Sequence, residues 1–318
     1  MVSDWLAELD GRRVTVEVPA TTANLGAGYD CLGMALSITN RVSVEVRRGG
    51  GIELHVEGEG SDELTADGDN RFVRGLEAAI REARGSMPDG AGWRIEMTNG
   101  VPLARGLGSS AAATVGGLLA ANAILGGVLT AGDLLRLATT IEGHPDNAAP
   151  ALLGGFVVSA ALGEQVEAIR FDVPGELRAV VFIPDLRLAT SEMRRVLPAT
   201  VPRGDAVANL GRVAIGVAGI ASGRADVLRW LTEDRLHEPY RAAVYPQLPD
   251  LIAEARAAGA LGACLSGAGS SIIAFTDSAA GAARIDAAFL AAAADTDLPG
   301  RVTIVAPRNA GAKVIPDA

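Results

Sequence analysis

The sequence predicts a mixed fold in which β-strands alternate with α-helices, divided into two parts near its middle. Three observations carry that reading. Strand-like alternation and helix-like spacing of apolar residues succeed one another along the chain, turn residues separate the segments, and Pro174-Gly175-Glu176 forms a seam between two such series. With 318 residues, 49% of them hydrophobic, the chain is long enough to bury the core of one large domain or the cores of two medium ones.

Arg13–Val18 alternates as a strand and stops at Pro19. The stretch from Pro19 to Asp30 is too rich in Gly and Thr for a helix. Leu36–Arg47 and Gly51–Glu57 read as two strands, paired as a hairpin around Gly49-Gly50-Gly51. Asn70–Arg84 places Phe72, Val73, Leu76, Ala79 and Ile80 at helical spacing, and Trp93–Thr98 returns to strand alternation. The helix after Ser110 is apolar nearly all round, which predicts burial. Thr130 caps a helix reaching about Glu142, and Phe156–Ala161 and Val166–Phe171 are strands. Past the seam come the strand Arg178–Ile183, the segment Leu188–Leu197, and helices over Ala206–Ser222, Ala225–Glu233 and Gln247–Ala258. The strand Ile272–Phe275, the helix Ala279–Ala294 and the strand Val302–Val305 complete the series.

Composition excludes several function classes. The formal net charge of −10 argues against a nucleic-acid binder, which needs a basic face, although a local pocket can oppose the global sign. Cys31 and Cys264 give neither a disulfide framework nor a metal quartet, which points to a reduced cytoplasmic setting. The first residues lack a basic segment followed by an apolar one, and no apolar run reaches membrane length, so neither a signal peptide nor a membrane span is expected. Lys313, in the C-terminal tail, is the only lysine. Mechanisms built on a lysine in the body of the protein, such as that of a Walker A loop, are therefore disfavoured. Arginine must supply the cationic contacts, and it suits bidentate recognition of carboxylate or phosphate.

Val101-Pro102-Leu103-Ala104-Arg105-Gly106-Leu107-Gly108-Ser109-Ser110-Ala111-Ala112-Ala113 is the most informative stretch. Gly106 and Gly108 let backbone approach a ligand, and Ser109 and Ser110 read as N-cap residues of the following helix. Such a helix start presents free N–H groups and the positive end of the macrodipole to phosphate. A dinucleotide fingerprint is formally matched, but Asn99-Gly100-Val101-Pro102 breaks the strand that should lead into it. Two further small-residue loops, 24–33 and 266–271, share the theme. Glu142, His144, Asp146 and Asn147 cluster within six residues, where a carboxylate suits Mg²⁺, and Arg194 and Arg241 each suit a carboxylate ligand.

Together these residues carry a resemblance. Pro19-Ala20-Thr21-Thr22-Ala23-Asn24-Leu25-Gly26-Ala27-Gly28-Tyr29-Asp30, Pro102–Ala111 and Ser266-Gly267-Ala268-Gly269-Ser270 are similar, in this order, to the three signature motifs of the GHMP kinase superfamily. The form of the first motif, with Glu142-Gly143-His144-Pro145-Asp146-Asn147 and His237-Glu238-Pro239-Tyr240-Arg241, resembles its homoserine kinase family.

The resemblance implies an α+β fold of two domains, a ribosomal-S5-like one over 1–170 and a ferredoxin-like one over 171–318, with the site between them. It implies ATP-dependent phosphorylation of the L-homoserine hydroxyl in threonine biosynthesis, with Mg²⁺, in the cytoplasm. The implied partner is that small molecule, with neither nucleic acid nor membrane, and assembly as a homodimer is compatible with it. Asn70 is placed near the adenine, and Pro102, Leu103, Ala104, Arg105, Gly106, Leu107, Gly108, Ser109, Ser110, Ala111 and Ala112 around the ATP phosphates. Ser110 and Glu142 serve the metal. Asn24, Asp30, His144, Asp146, Arg194, Arg241 and Gly267 surround the substrate, and Arg194, Asp146, Thr190 and Asn147 attend the transfer. Asp30 suits the ammonium of the substrate, and the two arginines its carboxylate. A GHMP-type kinase for another small alcohol, such as an isoprenoid precursor, is the alternative within the superfamily. A nucleotide-binding regulatory module without catalysis is the alternative outside it.

Overall fold

The computed structural model describes residues 5–66 and 69–316. The strands are β1 (Arg13–Ala23), β2 (Leu32–Arg48), β3 (Ile52–Gly58), β4 (Ala91–Asn99), β5 (Phe156–Leu162), β6 (Gln165–Phe171), β7 (Arg178–Pro184), β8 (Gly262–Leu265), β9 (Ile272–Thr276), β10 (Gly300–Val305) and β11 (Lys313–Ile315). The helices are α1 (Trp5–Leu9), α2 (Arg71–Arg84), α3 (Ser109–Ile124), α4 (Ala131–Glu142), α5 (Ala148–Leu153), α6 (Thr190–Arg195), α7 (Arg203–Ala221), α8 (Leu228–Leu231), α9 (Glu238–Arg241), α10 (Leu248–Ala257) and α11 (Ala279–Asp295).

The first sheet runs β11-β1-β2-β4-β3, with β5 pairing a second part of β2 and β6 pairing β5. The expected hairpin of β2 with β3 does not form, because β4 lies between them, antiparallel to β2 and parallel to β3. The burial patterns give the reason. Val42, Val44 and Val46 of β2 and Trp93, Ile95 and Met97 of β4 face one core, whereas β3 has no fully buried residue and suits the edge. β1 also continues past Pro19, its register to β2 shifting between Pro19 and Thr21, so the strand runs to Ala23 and delivers Asn24 directly from the sheet's end.

Helices α2 to α5 cover this sheet. Asn70 caps α2, accepting from the N–H groups of Phe72 and Val73. Thr130 and Asp133 form a capping box on α4, as the expected cap at Thr130 requires. The predicted helix at 225–233 is instead a 3₁₀ turn (Ala225–Val227) followed by the short α8. Gly117 of α3 sits against α2 so closely that a Cβ there would lie 1.9 Å from the Phe72 carbonyl oxygen.

The second sheet runs β10-β7-β9-β8. β7 and β9 are buried on both faces, which is why they read as unbroken apolar runs. Val180, Phe182, Ile272 and Ala274 pack against α10 and α11. Ala179, Val181, Ile183, Ile273 and Phe275 turn the other way and join Leu32, Met34, Leu36 and Phe156 of the first sheet in a shared core. The first sheet draws its strands from residues 13–171 and, through β11, from the C-terminal tail, while the second spans 178–305.

Hydrogen bonds tie the halves together beside that core. Ala27 N donates to Leu231 O (2.9 Å) and Gly267 N to Ala23 O (3.1 Å). The buried His237 ring lies 2.8 Å through Nε2 from Gly26 O. Burial pulls the His237 pKa down to about 4.

Two outcomes follow for stability. Gly117→Ala should cost about 1–3 kcal/mol or more by overpacking, read as a lower urea midpoint. Gly132→Ala, where the nearest atom is 3.7 Å away, should be neutral or slightly stabilising. His237 is neutral in the folded state and titrates near pH 6.5 when unfolded, so its contribution is present above pH 6.5 and is lost as pH falls toward about 4. Unfolding free energies measured from pH 7 to pH 4.5 should therefore fall less steeply for His237→Asn than for the wild type.

Candidate active site

A cavity of about 360 Å³ opens where the two halves meet, lined by the loops after β1, before α3, after α4, at α6 and after β8. At its floor α3 begins without a side-chain cap. Gly108 is the N-cap residue, in the left-handed conformation (φ 70°), and a Cβ there would lie 1.9 Å from Thr21 Oγ1. Ser109 and Ser110, expected as caps, are instead the first residues of the helix. Released from capping, Ser110 Oγ donates to Glu142 Oε1 (2.9 Å), and Thr114, one turn further on, donates to the same oxygen (2.6 Å). The N–H groups of the first turn are left for a ligand.

Glu142 is 7% exposed, with Arg71 Nη1 3.8 Å from Oε1. Its Oε2 has no partner among the described residues. Past the Gly143 turn, His144 Nδ1 is hydrogen-bonded to Asp146 Oδ1. Burial works against a charged ring, but the bond to Asp146 and its charge outweigh that and hold the His144 pKa above its ordinary value. Asn147 is oriented by Thr21 Oγ1, which donates to its Oδ1 (2.8 Å).

The far wall holds the arginines. Arg194 forms a two-pronged pair with Asp30 (2.6 and 2.9 Å) and donates to Tyr29 OH (2.8 Å). Arg241 is 1% exposed and donates from Nε to Met193 O (3.3 Å) and from Nη1 to Gly267 O (3.0 Å). Asn24 Nδ2 donates to that same Gly267 carbonyl (2.8 Å), and its Oδ1 accepts from Asp30 N (2.9 Å). Asn24 and Asp30 both have positive φ (67° and 56°), a conformation these residue types tolerate.

The cavity brings together Asn24, Asp30, Ala104, Gly106, Gly108, Ser109, Ser110, Ala111, Glu142, His144, Asp146, Asn147, Thr190, Arg194, Arg241 and Gly267. Other expected positions lie elsewhere. Leu107 is buried in the shared core. Pro102 and Arg105 line a small cleft of about 60 Å³, where Arg105 Nη2 donates to Asp185 O (3.1 Å). Asn70, Leu103 and Ala112 line a more apolar cavity of about 280 Å³, with Val42, Phe72 and Met97. Ser109 and Ser110 border both larger cavities, so the start of α3 lies between them. Sequence reasoning missed Arg71, Leu188, Ala189 and Thr114 here. Only Thr114 left a signal, four residues after Ser110 on one helix face.

Among the described residues no helix is long and apolar enough to cross a membrane, and Cys31 and Cys264 are free thiols.

Comparison with known proteins agrees with this geometry. Residues 70–155 match the family described as GHMP kinases N terminal domain, and residues 221–294 match GHMP kinases C terminal. The chain is 44% identical over 301 residues to the homoserine kinase of Moorella thermoacetica, covering 94% of this chain and 99% of that one. It is 45% identical over 261 residues to the homoserine kinase of Carboxydothermus hydrogenoformans, covering 82% and 84% of the two chains. The crystal structure of homoserine kinase from Cytophaga hutchinsonii superposes with a TM-score of 0.83 at 31% identity, over 95% of this chain and 97% of that one. A mevalonate kinase structure from L. major, 14% identical, shares the fold with a TM-score of 0.69 over 93% of this chain and 96% of that one. By its motifs, its two-part α+β fold and these relatives, the chain belongs to the homoserine kinase family of the GHMP kinases.

Proposed function

We propose that the protein transfers the γ-phosphoryl group of ATP to the side-chain hydroxyl of L-homoserine, giving O-phospho-L-homoserine and ADP. The observation that carries this reading is the pairing of two features in one cavity. An uncapped helix start sits at one end, and at the other an aspartate and two arginines suit the ammonium and carboxylate of an amino acid.

ATP would set its base in the apolar cavity beside Asn70 and Phe72 and lay its phosphates over the start of α3, which borders both cavities. A magnesium ion fits the donor set, since Ser110 Oγ and the Glu142 carboxylate are hard oxygen donors and Glu142 Oε2 is uncommitted among the described residues. Bound there, the ion would supply neutralisation of phosphate charge.

L-Homoserine would place its carboxylate on Arg241 and Arg194, and its ammonium by Asp30. The existing Asp30–Arg194 pair presents both signs side by side, so a zwitterion can lie antiparallel to it. The hydroxyl then reaches toward Asp146 and the start of α3, with Thr190 and Asn147 beside the phosphoryl group. Its oxygen attacks phosphorus as the bond to ADP breaks, and the proton leaves with the phosphate or to water. Alignment and charge neutralisation carry the rate, and no dedicated general base is invoked.

The same reading treats residues 1–170 and 171–318 as the two functional domains, with the tail strand β11 returned to the first sheet. It puts the enzyme in the cytoplasm, and a homodimer would appear as a doubled mass in light scattering.

ADP release measured with L-homoserine, serine, threonine and mevalonate in turn should be fast with homoserine alone and only with Mg²⁺ present. No homoserine-dependent ADP would overturn the assignment. Glu142→Gln keeps the bonds from Ser110 and Thr114 but removes the charge. It should lower kcat by about 10²–10³-fold and raise the Mg²⁺ concentration needed for half activity. An unchanged Mg²⁺ requirement would remove Glu142 from the metal site.

A further inference from the structure

His237 lies outside the cavity, yet its hydrogen bonds reach into it. The ring is fully buried, and its Nε2 lies 2.8 Å from Gly26 O, which can only accept, so Nε2 carries the hydrogen. Nδ1 lies 3.0 Å from Arg241 Nη1, which can only donate. The two partners together fix one state, a neutral ring with its hydrogen on Nε2 and its lone pair on Nδ1 aimed at the guanidinium. A protonated ring would set a second N–H and a second positive charge against Arg241, buried and without an acceptor.

The surroundings agree. Asp234 Oδ2 is 3.7 Å from Nε2, but the Asp234 carboxylate already accepts from the N–H groups of Leu236, His237 and Glu238 and from Asn209 Nδ2. The Tyr29 ring stacks at a tilt on His237, 5.3 Å between centroids, and faces Arg241 at 5.5 Å. The depressed His237 pKa follows from the same burial.

Arg241 has five N–H donors. Nη1 serves His237 Nδ1 and Gly267 O, and Nε serves Met193 O. Nη2 has no acceptor among the described residues, and Arg241 lines the cavity. Every partner that holds this guanidinium is neutral. Arg194 differs, since the Asp30 carboxylate matches its charge. A carboxylate at position 237 would hold Arg241 as firmly but would cancel the attraction offered to a ligand.

We propose that His237 is a positioning residue that turns the free edge of Arg241 toward the substrate without giving it a carboxylate partner, and so makes the enzyme select alcohols that carry a carboxylate. The inference rests on the reading of this cavity as the L-homoserine site.

The test is steady-state kinetics of the wild type, His237→Ala, His237→Asn and His237→Gln. MgATP is the donor, and the acceptor is either L-homoserine or the amino diol in which its carboxylate is reduced to an alcohol. Asn offers an amide oxygen near the place of Nδ1, whereas Gln offers its amide nearer Nε2. His237→Ala should raise the KM for homoserine about ten- to a hundred-fold, with kcat and the KM for ATP changed less than about three-fold and the amino diol little affected. His237→Asn should recover most of the loss, and His237→Gln should not. Equal losses for both acceptors, a loss confined to kcat or ATP, or no rescue by Asn over Gln would overturn the proposal. If thermal melts show that His237→Ala does not fold, the comparison of Asn with Gln decides on the same criteria. A wild type inactive on homoserine would instead overturn the substrate assignment, so the two failures are distinct.

Discussion

The carbonyl oxygen of Gly267 accepts from Asn24 Nδ2 at 2.8 Å and from Arg241 Nη1 at 3.0 Å. Through that one atom the loop after β1, the loop after β8 and the helix α9 are held in fixed relation. Asn24 in turn accepts from Asp30 N and sets the carboxylate that pairs with Arg194. Around it, Gly267 N reaches Ala23 O, and Ser266 Oγ bonds both Thr22 Oγ1 and Gly106 O. Groups from both halves of the chain are therefore pre-organised by short polar contacts rather than by the apolar core alone. Buried polar networks of this kind are costly when incomplete, so they specify one arrangement.

The electrostatic plan is the complement of the composition. A chain of net charge −10 has a single lysine, in its tail, yet it gathers Arg71, Arg194 and Arg241 at one cavity. Each cation has a different status. Arg71 lies by Glu142, Arg194 is matched by Asp30, and Arg241 is held by neutral groups. The helix dipole of α3 adds a positive end that costs no side chain. Phosphate and carboxylate can both be received without a Walker-type lysine.

Much of this was legible in the sequence, and the failures have a common cause. Local signals worked. The helix over 70–84, the cap at Thr130 and the buried helix after Ser110 follow from spacing and capping chemistry. Long-range pairing did not follow. Gly49-Gly50-Gly51 suggests a hairpin, but β4, more than 30 residues on, has the better apolar face and takes the place beside β2. Nothing near Lys313-Val314-Ile315 announces a strand, which exists because β1 offers an edge. At the site, the residue types and motifs drew Asp30, Glu142, Asp146 and the arginines together, although they are far apart in sequence. The two serines failed as caps for an instructive reason. Gly108 ends the loop one residue earlier, so their hydroxyls are freed and Ser110 turns to Glu142. Leu107 and Arg105 stand apart from the main cavity because alternate side chains of the loop face core or cleft.

The central claim is that this cavity receives an amino-acid zwitterion in one orientation, and a crystal structure of the protein with L-homoserine and a non-hydrolysable ATP analogue tests it most directly. The account predicts the carboxylate on Nη2 of Arg241, the ammonium beside Asp30, and the hydroxyl turned toward the first turn of α3. A ligand bound in the reverse sense, or one whose carboxylate leaves Arg241 untouched, would contradict it.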